Sequence, residues 1–299
     1  MKAKNGYLRV FCAALLILLT GIGVSGDEGL RLSGTVFRQG DFFQVKVDAP
    51  RTASVQVSFL GDTQQLQYTD KGNFIGLVPV SYYAAPGDHA LTVEVKDENG
   101  TSAGASAQYT TQITILKRLF PESRVKVPEK TRAEILTPEH LDSDTQKANE
   151  ARERAQTDAV PPLWDGIFVW PLKGKLTTDF GQIRYVNDIE NGRHSGLDIA
   201  APKGTPVIAS NNGRVIFAGN LNQTGLTVIL HHGMNLYTAY GHFSAIKVSE
   251  GAYVSKGEVV GLVGATGLAT GPHLHLTFRV GDIPVDPYLF LDKELGWDF

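Results

Sequence analysis

The chain contains a single cysteine, Cys12. No disulfide can form within it and no thiolate cluster can hold a metal, so a metal site must be built from histidine and carboxylate. Positive charge is not in excess: the formal net charge is −3. No nucleic-acid partner is therefore expected. Long apolar runs are missing too, apart from residues 10–24. That run follows Lys2, Lys4 and Arg9. It is short for a membrane span and suits the core of a secretory signal peptide. Val24-Ser25-Gly26 supplies small residues for cleavage before Asp27. Residues 1–26 are set aside as a leader, and the mature protein is expected in the cell envelope, the periplasm or outside the cell. A membrane association follows only if the leader stays uncleaved. Cys12 lies inside the apolar run and not at its end, so it is not a lipid-attachment site.

What remains is a globular balance, 42% hydrophobic and 20% charged, in a 299-residue chain long enough for two domains. Residues 27–117 alternate apolar and polar in short runs such as Ser54-Val55-Gln56-Val57-Ser58-Phe59 and Leu91-Thr92-Val93-Glu94-Val95. Turn signals at Ala85-Pro86-Gly87-Asp88 and Asp97-Glu98-Asn99-Gly100 separate them. Six or seven such strands predict an immunoglobulin-like β-sandwich. No chemical constellation appears there, and His89 reads as a surface or turn residue, so the domain reads as a spacer or docking module. Residues 118–160 form a connector. Thr137-Pro138-Glu139 starts a helix with an N-cap, a proline in the first turn and an acid beside it. The segment has few large apolar residues and reads as a solvated polar helix, closed by Pro161-Pro162. Residues 161–299 run strand, turn, strand with many glycines and no long helix. The chain as a whole is expected to be all-β.

The chemistry gathers in this last part. Six of the eight histidines fall between His194 and His275. His273 and His275 stand one residue apart at the start of a strand-like stretch, after the turn Gly264-Ala265-Thr266-Gly267-Leu268-Ala269-Thr270-Gly271-Pro272. On a strand they share a face, with Cα atoms roughly 6–7 Å apart. One can hold a metal while the other reaches whatever the metal holds. Further ligands are available at His194 and Asp198, in His-Ser-Gly-Leu-Asp. Fully extended, that segment holds the two about 13 Å apart, too far to share an ion. Gly196 can take a positive φ and fold it back. His242, in Tyr-Gly-His-Phe-Ser, is a further participant, whereas the doublet His231-His232 has no carboxylate nearby in sequence and reads as structural. Two histidines and one aspartate give three protein ligands, the number found in catalytic zinc sites with an open fourth position. Zinc lowers the pKa of a bound water toward ~7. The remaining histidines are then available as proton acceptor, donor or oxyanion stabiliser.

These same residues carry a resemblance. His194-Ser-Gly-Leu-Asp198, then Tyr240-Gly-His242, then Gly271-Pro-His273-Leu-His275 resemble the lysostaphin/LytM-type zinc metallopeptidases, over about residues 170–291. The resemblance implies a small β-sandwich related to hybrid barrels. It implies that His194, Asp198 and His275 bind zinc and that His242 and His273 act on the water and the transition state. The implied reaction is hydrolysis of peptide bonds in peptidoglycan stem peptides or cross-bridges. The alternative is a catalytically inactive relative that binds wall or activates an amidase. Such relatives usually lose one or more of the five residues, and here all five are present. Phe243 and Leu276 depart from the family's usual residues as apolar packing exchanges. The segment 185–192 reads as a loop that does not align, a candidate groove wall that leaves specificity open, and oligomeric state is not legible.

Overall fold

The computed structural model describes residues 24–26, 29–96, 107–126, 128, 130, 138–156, 161–293 and 295. The apolar core of the leader, the turn at 97–100 and Thr137 lie outside the described residues. Val24–Gly26 pairs antiparallel with Leu30–Leu32, so the three residues assigned to the end of the leader form a sheet edge.

Two five-stranded sheets form the first domain. The Ser54–Phe59 strand alternates partly buried and buried residues, as a half-buried strand must. Val55, Val57 and Phe59 meet Phe43, Val45, Leu91, Val93, Ile113 and Ile115 in the sandwich core. All pairings between these strands are antiparallel except that of Val36–Arg38 with Ala107–Leu116.

The second domain is built on a larger sheet. The strands Lys175–Thr178, Leu197–Ala200, His273–Val280, Leu236–Ile246, Gly225–His231, Gly213–Leu221 and Tyr253–Val254 lie side by side in that order, all antiparallel. Leu197, Ile199, Val228, Leu230, Tyr240, Leu274 and Phe278 fill the core beneath it. Both departures from the family pattern are interior: Phe243 and Leu276 are fully buried. The ring of Phe243 occupies the space a side chain at Gly261 would need, since a Cβ there would meet it at 2.4 Å.

The first domain is more than a spacer. Leu77 and Tyr82 join the second domain's core, and Phe42 stacks on Phe290 with ring centroids 4.7 Å apart. The Arg118 guanidinium pairs with Asp286 at 2.7 Å, and the Asp286 amide donates to the Gly40 carbonyl. Nor is the connector only solvated. Its strand Glu122–Val125 pairs in parallel with Ile183–Val186, which pairs antiparallel in turn with Ile189–Arg193, so the segment expected as a loop is most of a β-hairpin. The helix Pro138–Gln156 lays Ala148, Ala151 and Ala155 on Ile216, Ile229 and Tyr237. Asp144 accepts from the amides of Asn222 and Gln223, both at 2.7 Å, and Arg152 reaches Asp282. A search for large apolar residues misses this face because it is made of alanines, whose small size lets the helix lie close.

Candidate metal centre

Three neighbouring strands position the site. Asp198 on Leu197–Ala200 lies directly opposite His275 on His273–Val280, and His275 lies opposite Gly241 on Leu236–Ile246. His242 follows Gly241 with φ of 62°, a left-handed conformation that non-glycine residues seldom adopt and that clusters at functional sites. His194 enters from the turn before the Asp198 strand. Gly196 makes that turn possible, but not through a positive φ as expected. It lies against the neighbouring strand so closely that a Cβ would meet the Leu276 carbonyl oxygen at 2.0 Å.

The result is a triangle of ligand atoms. His194 Nε2 is 2.9 Å from Asp198 Oδ1 and 3.0 Å from His275 Nδ1, and His275 Nδ1 is 2.9 Å from the same Oδ1. All three residues are buried. The edges are close to the ~3.3 Å subtended by zinc bonds of ~2.0–2.1 Å in a tetrahedron. Outer hydrogen bonds decide which nitrogens face inward. His194 Nδ1 lies 3.0 Å from the Asp179 carbonyl, which can only accept, so Nδ1 carries the proton and Nε2 is a bare lone pair. His275 Nε2 lies 2.9 Å from Thr277 Oγ1 and 3.3 Å from Ser195 Oγ. With Nε2 donating to these hydroxyls, Nδ1 is bare. Two lone pairs and a carboxylate oxygen then converge within about 3 Å, an arrangement that repels itself unless a cation sits among them. Burial pushes the His275 imidazole down to about 4, keeping it neutral. The Asp198 carboxyl lies well below the usual carboxylate range: burial works to raise it, and the adjacent His194 and His275 outweigh that. Neutral imidazole and ionised carboxylate are the forms a metal requires. The donor set therefore fits zinc.

His242 and His273 stand beside the triangle with ring centroids 4.5 Å apart. His242 Nδ1 donates to the Thr266 carbonyl at 2.7 Å, and His273 Nδ1 to the Gly271 carbonyl at 2.8 Å. Each keeps a bare Nε2, and that of His273 lies 3.7 Å from Asp198 Oδ1. Burial, with His273 and His275 adjacent, pushes His242 down to about 3. All five residues singled out in the sequence thus converge. His231 and His232 do not join them. His89 also stands apart, bonded to the Ala85 carbonyl in the first domain.

Sequence reasoning missed several participants. The Asp179 and Thr266 carbonyls are backbone atoms and leave no residue signature. Thr277 was findable, because it continues the same strand face as His273 and His275. Arg184, whose Nη2 lies 3.4 Å from Asp198 Oδ2, comes from Ile183–Val186 beside the segment that did not align. Two cavities border the site, one of about 100 Å³ and one of about 240 Å³, and Arg184 and Leu268 line both. A larger one, about 390 Å³, lies between the domains, walled by residues such as Gln64 and His231, away from this chemistry.

Comparison with known proteins agrees with this geometry. Residues 192–287 match the sequence profile of Peptidase family M23. The DD-carboxypeptidase/endopeptidase Mpg of Neisseria meningitidis serogroup B is 47% identical over 94 residues, covering 31% of this chain and 22% of that protein. The peptidoglycan DD-endopeptidase ShyA of Vibrio cholerae serotype O1 is 44% identical over 93 residues, 31% of this chain and 22% of that protein. This chain spans about a fifth of the length of these curated relatives. A crystal structure from Pseudomonas aeruginosa assigned to peptidase M23 superposes with a TM-score of 0.59 at 27% identity, covering 86% of this chain and 95% of that one. That likeness extends across both β domains, and the His-Asp-His triangle lies inside the segment that matches the family profile: this chain carries a Peptidase M23 domain over residues 192–287.

Proposed function

We propose that this protein is an exported zinc-dependent endopeptidase that hydrolyses peptide bonds of peptidoglycan, in stem peptides or cross-bridges. His194, Asp198 and His275 hold the metal, and His242 and His273 carry the proton chemistry. One observation supports this above the others: three ligand atoms converge within about 3 Å while the outer nitrogens of both histidines are bonded away from the centre. The inactive alternative draws no support from the geometry, because the five side chains are together. The names of the relatives supply the substrate class.

When bound, zinc supplies a Lewis acid that makes water nucleophilic near neutral pH. The chain's own residues do the rest. Asp198 would be a ligand to the metal, and its Oδ2 is also within 3.4 Å of the Arg184 guanidinium. Thr277 and Ser195 orient the His275 ring, and the Asp179 carbonyl orients that of His194. His242 and His273 present unprotonated Nε2 atoms that can take a proton from the attacking water. Once protonated, either can stabilise charge developing on the substrate carbonyl oxygen or return the proton to the leaving amine.

The test is digestion of purified sacculi of several wall chemotypes by the protein with zinc, with new termini identified by mass spectrometry. New peptide termini, abolished by a chelator and restored by zinc, are expected. Sacculi left intact by zinc-loaded protein would overturn the proposal.

A further inference from the structure

His242 sits on a bulge. Tyr240 pairs with Val228 and Phe243 with Leu226, so Gly241 and His242 together stand opposite Thr227 alone. A bulge re-aims a side chain and breaks the ladder locally. The left-handed backbone of His242, with φ of 62°, persists only where its surroundings hold it. The His242 amide donates to the Thr224 carbonyl at 2.6 Å, and the ring Nδ1 donates to the Thr266 carbonyl at 2.7 Å. The turn that carries Thr266 rests on the same loop as Thr224. The Leu268 amide donates to the Gln223 carbonyl at 2.7 Å, and Gly267 lies so close that a Cβ would meet that oxygen at 2.5 Å. Residues 222–224 thus support His242 from both sides.

That loop is held in turn from outside residues 192–287, the segment that matches the family profile. Asp144 lies within the helix Pro138–Gln156, where aspartate is a poor helix former, and it is buried. A buried carboxylate costs free energy unless donors satisfy it. Its donors come from the loop. Oδ1 accepts from the Asn222 amide at 2.7 Å and from Asn222 Nδ2 at 2.9 Å, and Oδ2 accepts from the Gln223 amide at 2.7 Å.

We infer that Asp144 is a positioning residue for His242. From the connector helix it fixes residues 222–224, and through the Thr224 carbonyl it sets where the His242 ring stands beside the metal triangle. The inference rests on the peptidase reading, in which His242 carries proton chemistry, and it makes the connector helix part of that machinery without any contact to substrate. The alanine face and the bond from Arg152 to Asp282 dock the same helix, but away from this loop.

The experiment compares D144A with R152Q in the full chain. R152Q weakens the docking of the helix and leaves the bonds to the loop intact. Hydrogen exchange is measured first and needs no turnover. In D144A the His242 and Leu268 amides should exchange about tenfold or more faster than in wild type, and in R152Q both should stay protected. With zinc loaded, D144A should keep near one zinc per chain. On a soluble stem-peptide fragment its kcat should fall roughly 10–10²-fold with KM within about threefold, because the ring is displaced and the substrate contacts are not. D144N keeps one acceptor oxygen, should lose less, and serves if D144A fails to fold. In an H242A background the D144A substitution should cost less than about twofold, since the ring it positions is gone. Unchanged exchange at His242, a loss of kcat in R152Q as large as in D144A, or the full D144A loss persisting in H242A would overturn the inference. If zinc-loaded wild type cuts no wall peptide while D144A still frees the His242 amide, the positioning stands and the peptidase reading fails.

Discussion

Two groups of buried histidines lie in the second domain, and they differ in where their nitrogens point. His232 spends both, on the Asn212 carbonyl at 2.6 Å and on Thr238 Oγ1 at 2.7 Å. Its neighbour His231 stacks on Tyr237 with centroids 4.8 Å apart. Burial pushes both down to about 4, so they are neutral packing residues. His194 and His275 are equally buried, but each turns only one nitrogen outward to the protein and aims the other at Asp198. Burial alone does not distinguish a ligand from a core histidine. What distinguishes it is a lone pair left uncommitted and pointed at others like itself.

The sharpest break of this comparison is between His275→Ala and His232→Ala. The first removes one of three ligands, so zinc content should fall from near one per chain and turnover should drop to background. The second should cost stability, by leaving Thr238 and Asn212 without their partner, yet keep zinc in whatever fraction folds. Atomic emission after gel filtration, paired with release of peptide termini, reads both. Zinc lost from His232→Ala and retained by His275→Ala would reverse the assignment.

A smaller effect separates the ligands from their neighbours. His242→Ala and His273→Ala leave the triangle whole, so zinc should stay near one per chain while the rate falls by roughly 10²–10⁴. Zinc lost from either variant would make that residue a ligand.

The smallest effect is on stability against pH in metal-free protein. His231 and His232 are held near 4 in the folded chain, against 6.5 unfolded. As pH falls below about 6.5 the unfolded chain takes up protons that the folded chain refuses until about 4, so stability should decline across that window and level off below it. Each group accounts for up to about 3 kcal/mol. His231→Gln should reduce the total loss of stability between about pH 6.5 and 4 by about 3 kcal/mol in urea titrations, making the slope shallower by up to about 1.4 kcal/mol per pH unit. An unchanged slope would mean that His231 is protonated normally in the fold.

Much of the site was legible before the structure. Spacing of two on a strand placed His273 and His275 on one face, and the absence of usable cysteine left only imidazole and carboxylate as ligands. Gly196 marks the turn in sequence, but the requirement for glycine there is a close approach to a distant strand, which has no signature in the local chain. The helix Pro138–Gln156 reads as polar in sequence because alanine carries little hydrophobic signal, and its docking depends on Ile216 and Tyr237, far away in sequence. The first domain's strands were visible in their alternation. The burial of Phe42, Leu77 and Tyr82 against the second domain was not, since an apolar residue on a strand's second face does not say what covers it.

By itself the sequence determined what depends on residue type and local period: the β character of both halves, the donor atoms on offer and the shared face of the histidine pair. Only tertiary structure decided what depends on long-range register. The pairing of Asp198 with His275 across two strands, 77 residues apart, brings the triangle together. Carbonyls and hydroxyls from Asp179, Thr266, Gly271 and Thr277 then choose which nitrogen of each histidine stays bare. An imidazole has two nitrogens and one proton, and nothing in its own stretch of chain says where that proton sits; the partner across the fold does.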